Sequence, residues 1–95
     1  PEKALSVRQP WASLIESGAK SLEIRTWRTA YRGPLVICAS AKRYDDLPIG
    51  VAICRVRLVD VRRPRPGDDR LACCAIGPDE WCWVLEDPEP LPGIA

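Results

Sequence analysis

The feature that most constrains the fold is a long apolar segment, residues 49–63, with the sequence IGVAICRVRLVDVRR. Its apolar side chains alternate at odd positions at Val51 and Ile53, and then at even positions at Val56 and Leu58. Because side chains of a strand alternate with a period of two, such a segment keeps one buried face only if a bulge lies where the parity changes. We predict that bulge near Cys54-Arg55. A bulged strand bends, and small barrels are built from bent strands.

The other segments are short and are separated by glycine and proline. Apolar or alternating patterns predict four further strands, at residues 3–7, 20–25, 34–40 and 80–86. One helix is predicted over residues 9–18, where Trp11 and Ile15 belong to an apolar stripe and Gly18 suits a left-handed cap.

Residues 71–76 (LACCAI) are interpreted as a short helical turn, and residues 87–95 as a proline-rich tail with little regular structure. These elements predict a mainly β, α+β fold with one or two short helices, in a single domain over residues 1–95. The expected architecture is a small, partly closed β-barrel with the N-terminal helix beside a cleft.

Charge and cysteine content narrow the functional classes. The net charge is only +1, but residues 1–44 carry eight basic and three acidic residues, which suggests either a basic face that meets an anion or an ordinary surface with an acidic tail. The chain has no histidine and no C-x-x-C pair, so we expect no metal site and no cofactor. Residues 1–7 lack a long apolar run, and no stretch approaches the length of a membrane span. We therefore expect a cytoplasmic protein whose five cysteines are free thiols.

Residues 17–33 (SGAKSLEIRTWRTAYRG) concentrate cations and aromatic rings around one acid, Glu23. Glu23 and Arg25 share one face of the predicted strand, roughly 7 Å apart at a rise of about 3.3 Å per residue. They could form an ion pair that only holds the strand, or a site in which Lys20 and Arg25 bind phosphate and Glu23 accepts from a base. A second basic cluster, Arg62, Arg63 and Arg65, is interpreted mainly as a solvated loop.

Four stretches in order resemble the ASCH domain, a member of the PUA-like β-barrel superfamily. They are residues 5–20, 18–25, 26–40, and 47–61 followed by 81–92. Within them, GAKSLEIR matches the G-x-K-x-x-E-x-R signature of that family. The resemblance implies a barrel of five or six strands, with the helix and the signature strand lining a cleft, and an association with RNA or nucleic-acid binding.

One branch of the family that resembles this chain hydrolyses small acetylated cytidine compounds, and others have been linked to transcription coactivation or ribonuclease activity. That hydrolytic branch has Thr where this chain has Glu23, so the hydroxyl nucleophile is missing and the same chemistry is less expected. The polar link over residues 41–48 is also shorter than the helical insertion of many relatives.

We therefore predict a binding module for RNA or a nucleotide-like ligand. The predicted ligand-binding residues are Arg8, Gln9, Gly18, Lys20, Glu23, Arg25, Arg28, Tyr31, Ser40 and Lys42. The alternative is a hydrolase of a modified nucleoside, or a ribonuclease, in which Lys20 acts with Glu23 or Asp60 as its acid/base partner. A third possibility is an interaction barrel without a ligand. Oligomeric state is left open.

Overall fold

The part of the chain that the computed structural model describes, residues 3–92, contains five strands and two short helices. The strands are β1 (Lys3–Val7), β2 (Leu22–Arg25), β3 (Gly33–Ala39), β4 (Ala52–Arg62) and β5 (Trp81–Pro90), and the helices are α1 (Trp11–Ser17) and α2 (Asp68–Ala72). They form one sheet in the order β1-β3-β4-β5-β2, in which β1 is parallel to β3 and the other neighbours are antiparallel. The mainly β class with two short helices is thus confirmed.

The sheet wraps around one core but stays open between its edge strands, β1 and β2, which do not pair with each other. The core joins Leu5 of β1, Ile37 of β3 and Leu85 of β5. Helix α1 contributes Ala12 and Ile15 to the same cluster and thereby covers one end of the half-barrel. Among residues 3–92, no helix is long and apolar enough to cross a membrane.

A bulge in β4 reconciles the two parities of its apolar side chains. Ile37 of β3 pairs with Cys54, but the next residue, Cys38, pairs with Ala52, so Ile53 is the extra residue. Ile53 and Cys54 are consequently both buried, although they are neighbours on a strand. The predicted bulge is confirmed, with its extra residue just before the predicted position.

The prediction that residues 87–95 have little regular structure is wrong for their first part, since β5 continues to Pro90. Residues 85, 86, 89 and 90 pair with β4, whereas β2 begins opposite Val84 and leaves the other side of β5 beyond that point free of a described strand. Asp87 adopts a φ of 54°, and the β4–β5 register shifts beside it. Prolines are tolerated at sheet edges and bulges, which is why this segment remains a strand. Residues 93–95 of the predicted tail lie outside the described residues.

Helix α2 begins before the helical turn predicted at residues 71–76, and an ion pair anchors it. Nη1 of Arg62 lies 2.7 Å from Oδ2 of Asp68, and Nη2 lies 3.1 Å from Oδ1. The interpretation of Arg62 as part of a solvated loop is therefore wrong. The Arg62 guanidinium lowers the pKa of Asp68 from 3.8 to about 2, against the opposing effect of burial. The helix packs Ala72 against Leu22 and Cys82 on the outer face of β2 and β5.

Candidate functional site

A cleft of about 590 Å³ lies where the sheet is open between β1 and β2. The end of β1 and the residue after it supply Ser6, Val7 and Arg8, and β2 with its continuation supplies residues 23–27. Lys20, Trp11, Ser40 and residues that follow α2 complete the lining. A cavity of this size is within the usual range for small-ligand sites.

Lys20 is a buried cation in the lining of the cleft, with only 2% of its surface exposed. It follows the end of α1, where Gly18 adopts a φ of 86° and the Lys20 amide donates to the Leu14 carbonyl at 3.0 Å. The Lys20 ammonium donates to the Ala72 carbonyl of α2. It also lies 3.6 Å from Oε1 of Glu23, which gives the buried charge a counterion.

Arg25 fixes the opposite side of the Glu23 carboxylate. Its Nε and Nη2 donate to Oε2 of Glu23 at 3.1 and 2.8 Å, so the predicted pairing on one strand face is confirmed. The same Nη2 donates to the Ser6 carbonyl of β1 at 2.8 Å. The side chains of Lys20, Glu23 and Arg25 thus lie in continuous contact across the open edge of the sheet. We call these three residues the charged array.

Aromatic rings and one hydroxyl complete the walls of the cleft. Trp11 is partly buried and packs against the core, whereas Trp27 is 49% exposed. The Ser40 hydroxyl oxygen is buried and, within residues 3–92, has no hydrogen-bond partner. Buried hydroxyls are normally paired, so an unpaired one in the lining of the cleft is unusual. Within the same residues, no group of three or more acidic or cysteine side chains is arranged so that it could hold a metal ion.

Comparison with known proteins agrees with this geometry. Residues 5–90 match the family model described as ASCH domain. The chain belongs to the ASCH domain family. It is similar to activating signal cointegrator 1 of Homo sapiens, with 37% identity over 73 residues, and of Mus musculus, with 36% identity. Each match covers 77% of this chain, and the chain spans only 13% of the length of these curated relatives.

Solved structures support the fold of this ASCH domain. The crystal structures of ASCH from Zymomonas mobilis and of a mutant of it superpose with TM-scores of 0.77 and 0.78. These matches cover 98% of this chain, and 72% and 74% of the respective structures. The sequence identities are 20% and 19%, so the likeness concerns the fold.

Half of the predicted site residues lie together in the cleft of the ASCH domain. They are Arg8, Lys20, Glu23, Arg25 and Ser40. The other five do not line it. Gln9 is buried beneath α1, where Nε2 donates to the Pro48 carbonyl at 2.8 Å and Oε1 accepts from the Ser13 amide at 2.9 Å. Gly18 ends α1 and has a structural role.

The remaining three predicted residues lie on other surfaces. The Arg28 guanidinium lies over the ring of Trp81, 5.2 Å from its centroid. Tyr31 donates its hydroxyl to the Pro34 carbonyl and lines a second, smaller cavity. Lys42 is exposed and lies outside the described cavities.

Sequence reasoning missed the contribution of the segment after α2, which brings Cys74 and Glu80 into the cleft lining. Glu80 accepts from the Gly77 amide at 2.7 Å, which orients its carboxylate. Burial raises the pKa of the Cys74 thiol, although the Lys20 charge opposes that shift. No local sequence signal marks these two residues, because Cys74 reaches the cleft through the packing of α2 on β2, and Glu80 through the pairing of the adjacent Trp81 with Arg25.

Proposed function

We propose that this ASCH domain binds single-stranded RNA, or a nucleotide-like ligand, in the cleft between β1 and β2. The charged array carries the proposal, because it places two cations and an oriented carboxylate together at the base of an open cleft. The association of the family with RNA binding adds support. Cations that bind phosphate beside acceptors that read base edges are the usual means of recognising unpaired nucleotides.

The hydrogen-bonding capacity of the array suits an anionic ligand. An ammonium group has three donors, and the Ala72 carbonyl takes one of those of Lys20. Oε1 of Glu23 lies 3.6 Å from Nζ, beyond hydrogen-bond distance, so donors of Lys20 remain for a ligand oxygen. Arg8, exposed directly after β1, supplies a further cation at the rim.

The acceptor capacity of Glu23 suits the exocyclic amine of a base. Its Oε2 already accepts twice from Arg25, whereas no donor of residues 3–92 lies within hydrogen-bond distance of Oε1. A carboxylate accepts from N4 of cytosine in known recognition geometries. Cytidine-containing RNA is therefore the probe of choice.

Fluorescence anisotropy of fluorescein-labelled octacytidylate, measured over a series of salt concentrations, tests the proposal. The wild-type chain should bind with an affinity that falls as salt rises, since bound phosphates release counterions. The double variant Lys20→Met with Glu23→Gln removes opposite charges together, which preserves net charge, and should abolish most of the binding. Lys42→Met, which changes an exposed lysine outside the cleft, is the matched control. Binding without a salt dependence, or an unaffected double variant, would contradict the proposal.

A hydrolase is the second candidate, and one observation favours it: Lys20 shares the cleft with two carboxylates, Glu23 and Glu80. A lysine and carboxylates can act as acid and base when their surroundings tune them. Asp60, the other predicted acid/base partner of Lys20, does not line the cleft. Its Oδ1 lies 3.8 Å from Nη2 of Arg32. Incubation with N4-acetylcytidine, and separately with RNA, tests this candidate. Product above that of the Glu23→Gln variant supports it, and its absence rejects it.

Compartment and domain organisation are proposed on separate grounds. All five cysteines are free thiols, which supports a reducing, cytoplasmic environment. The core cluster joins α1 with β1, β3, β4 and β5, which supports one folding unit.

A further inference from the structure

We infer that the ligand is a strand of at least two nucleotides that passes Trp27, with one base in the cleft and the next in a second cavity. This inference rests on the proposed RNA binding and extends the ligand from a single nucleotide to an oligonucleotide. Trp27 is the residue that lines both cavities.

The second cavity has a volume of about 230 Å³ and a mostly apolar lining. Leu5, Leu35 and Trp83 supply core side chains, and Tyr31 and Lys3 lie at the same cavity. An apolar recess with aromatic walls suits the flat face of a base, whereas the cleft with its charged array suits phosphates and base edges. The two cavities therefore offer complementary contacts to consecutive nucleotides.

Trp27 is held as a fixed wall between these cavities. Its carbonyl accepts from the Trp83 indole at 3.1 Å, and the two rings meet edge to face with centroids 4.7 Å apart. Nearly half of the Trp27 surface is nevertheless exposed. An exposed ring anchored in this way loses little conformational freedom when a base stacks on it.

Cations lie at both ends of the proposed path. Lys3, at the start of β1, lies at the second cavity, and Arg8, directly after β1, lies at the cleft. At a rise of about 3.3 Å per residue they are separated by roughly 16 Å along the strand. That distance joins their Cα atoms, and a short strand of nucleotides is long enough to follow it from one cavity to the other. The charge distribution along β1 thus favours an extended polyanion as the occupant.

A displacement experiment on the whole chain tests this inference. Cytidine monophosphate, dicytidylate and tetracytidylate compete against fluorescein-labelled octacytidylate. We expect tetracytidylate to bind at least 10-fold more tightly than the monophosphate. Trp27→Ala should weaken tetracytidylate by roughly 10- to 100-fold, as expected for the loss of stacking. Trp27→Phe keeps a ring and should retain most of the affinity.

Lys3→Met provides a second test, which does not alter the aromatic wall. It should weaken tetracytidylate, reduce the salt slope by about one, and leave cytidine monophosphate unchanged. Lys42→Met serves again as the control. Circular dichroism identifies a variant that fails to fold. If Trp27→Ala fails to fold, the affinities of Trp27→Phe and Lys3→Met test the two-cavity path instead.

The outcomes separate the two proposals. If octacytidylate does not bind at all, the proposed function and this inference are both overturned. If the monophosphate binds as tightly as tetracytidylate, or Lys3→Met affects both equally, only the two-cavity path is overturned and the single-nucleotide site stands.

Discussion

The Arg25 guanidinium donates to the Ser6 carbonyl at 2.8 Å and so connects β2 to β1, the two edge strands that no backbone ladder joins. The same guanidinium orients Glu23 through two further hydrogen bonds. One side chain therefore contacts both the open edge of the half-barrel and the carboxylate of the candidate site. Edge strands expose unpaired backbone groups, and here those groups border the cleft.

Replacing Arg25 by methionine keeps an apolar side chain but removes these hydrogen bonds. We expect the free energy of unfolding to fall by about 1–3 kcal/mol, because the Glu23 carboxylate loses its donors while it remains buried. Urea denaturation followed by circular dichroism measures the change. Arg43→Met, on an exposed loop, is the control and should change stability by less than about 0.5 kcal/mol. Equal effects of the two substitutions would contradict the structural role of Arg25.

Ser40→Ala should separate binding from stability. The Ser40 hydroxyl is buried without a partner in the described residues, so its removal should not lower the free energy of unfolding. If a ligand atom pairs with this hydroxyl, octacytidylate should bind roughly 3- to 10-fold more weakly. Anisotropy and urea denaturation of one preparation give both quantities. Unchanged affinity would remove Ser40 from the site.

Gly18→Ala should have the opposite effect, a loss of stability without a loss of affinity. Gly18 adopts a φ of 86°, a left-handed conformation that an L side chain adopts at a cost of about 1–2 kcal/mol. Space is not the obstacle, since the nearest atom to an added Cβ, on Pro88, lies 3.9 Å away. Gly18→Asn, a residue that tolerates this conformation better, is the control and should lose less stability in thermal denaturation. A ligand contact by Gly18 would instead appear as weakened binding in both variants.

Acid should destabilise the fold through Asp68. Its pKa is lowered from 3.8 to about 2 in the folded chain, chiefly by Arg62, so the folded state favours the charged carboxylate. The corresponding stabilisation, about 2 kcal/mol, is complete well above pH 3.8 and is lost as the pH falls toward 2.

Urea denaturation between pH 6 and pH 2 measures this dependence in the wild type and in Asp68→Asn. The variant should be less stable at pH 6 and should show a smaller decline on acidification, because it lacks the carboxyl that titrates. Parallel pH profiles for the two proteins would show that other groups cause the acid dependence.

Much of the fold could be predicted from local patterns. Apolar or alternating patterns located all five strands, and the parity change in residues 49–63 located the bulge to within about one residue. The extension of β5 through Asp87, Pro88 and Pro90 could not be predicted in this way. Those residue types are rare in strands, and only the free side of β5 beyond β2 makes them acceptable there.

Within the site, the G-x-K-x-x-E-x-R pattern predicted that Lys20, Glu23 and Arg25 lie close together, because capping by Gly18 and the two-residue period of a strand are local properties. Tertiary structure alone decided what surrounds them. Packing of α2 on β2 supplied the Ala72 carbonyl, and the open edge of the sheet brought Ser6 within reach of Arg25. The sequence contains the residues, but contacts between distant segments depend on which strands and helices become neighbours, which no local pattern encodes.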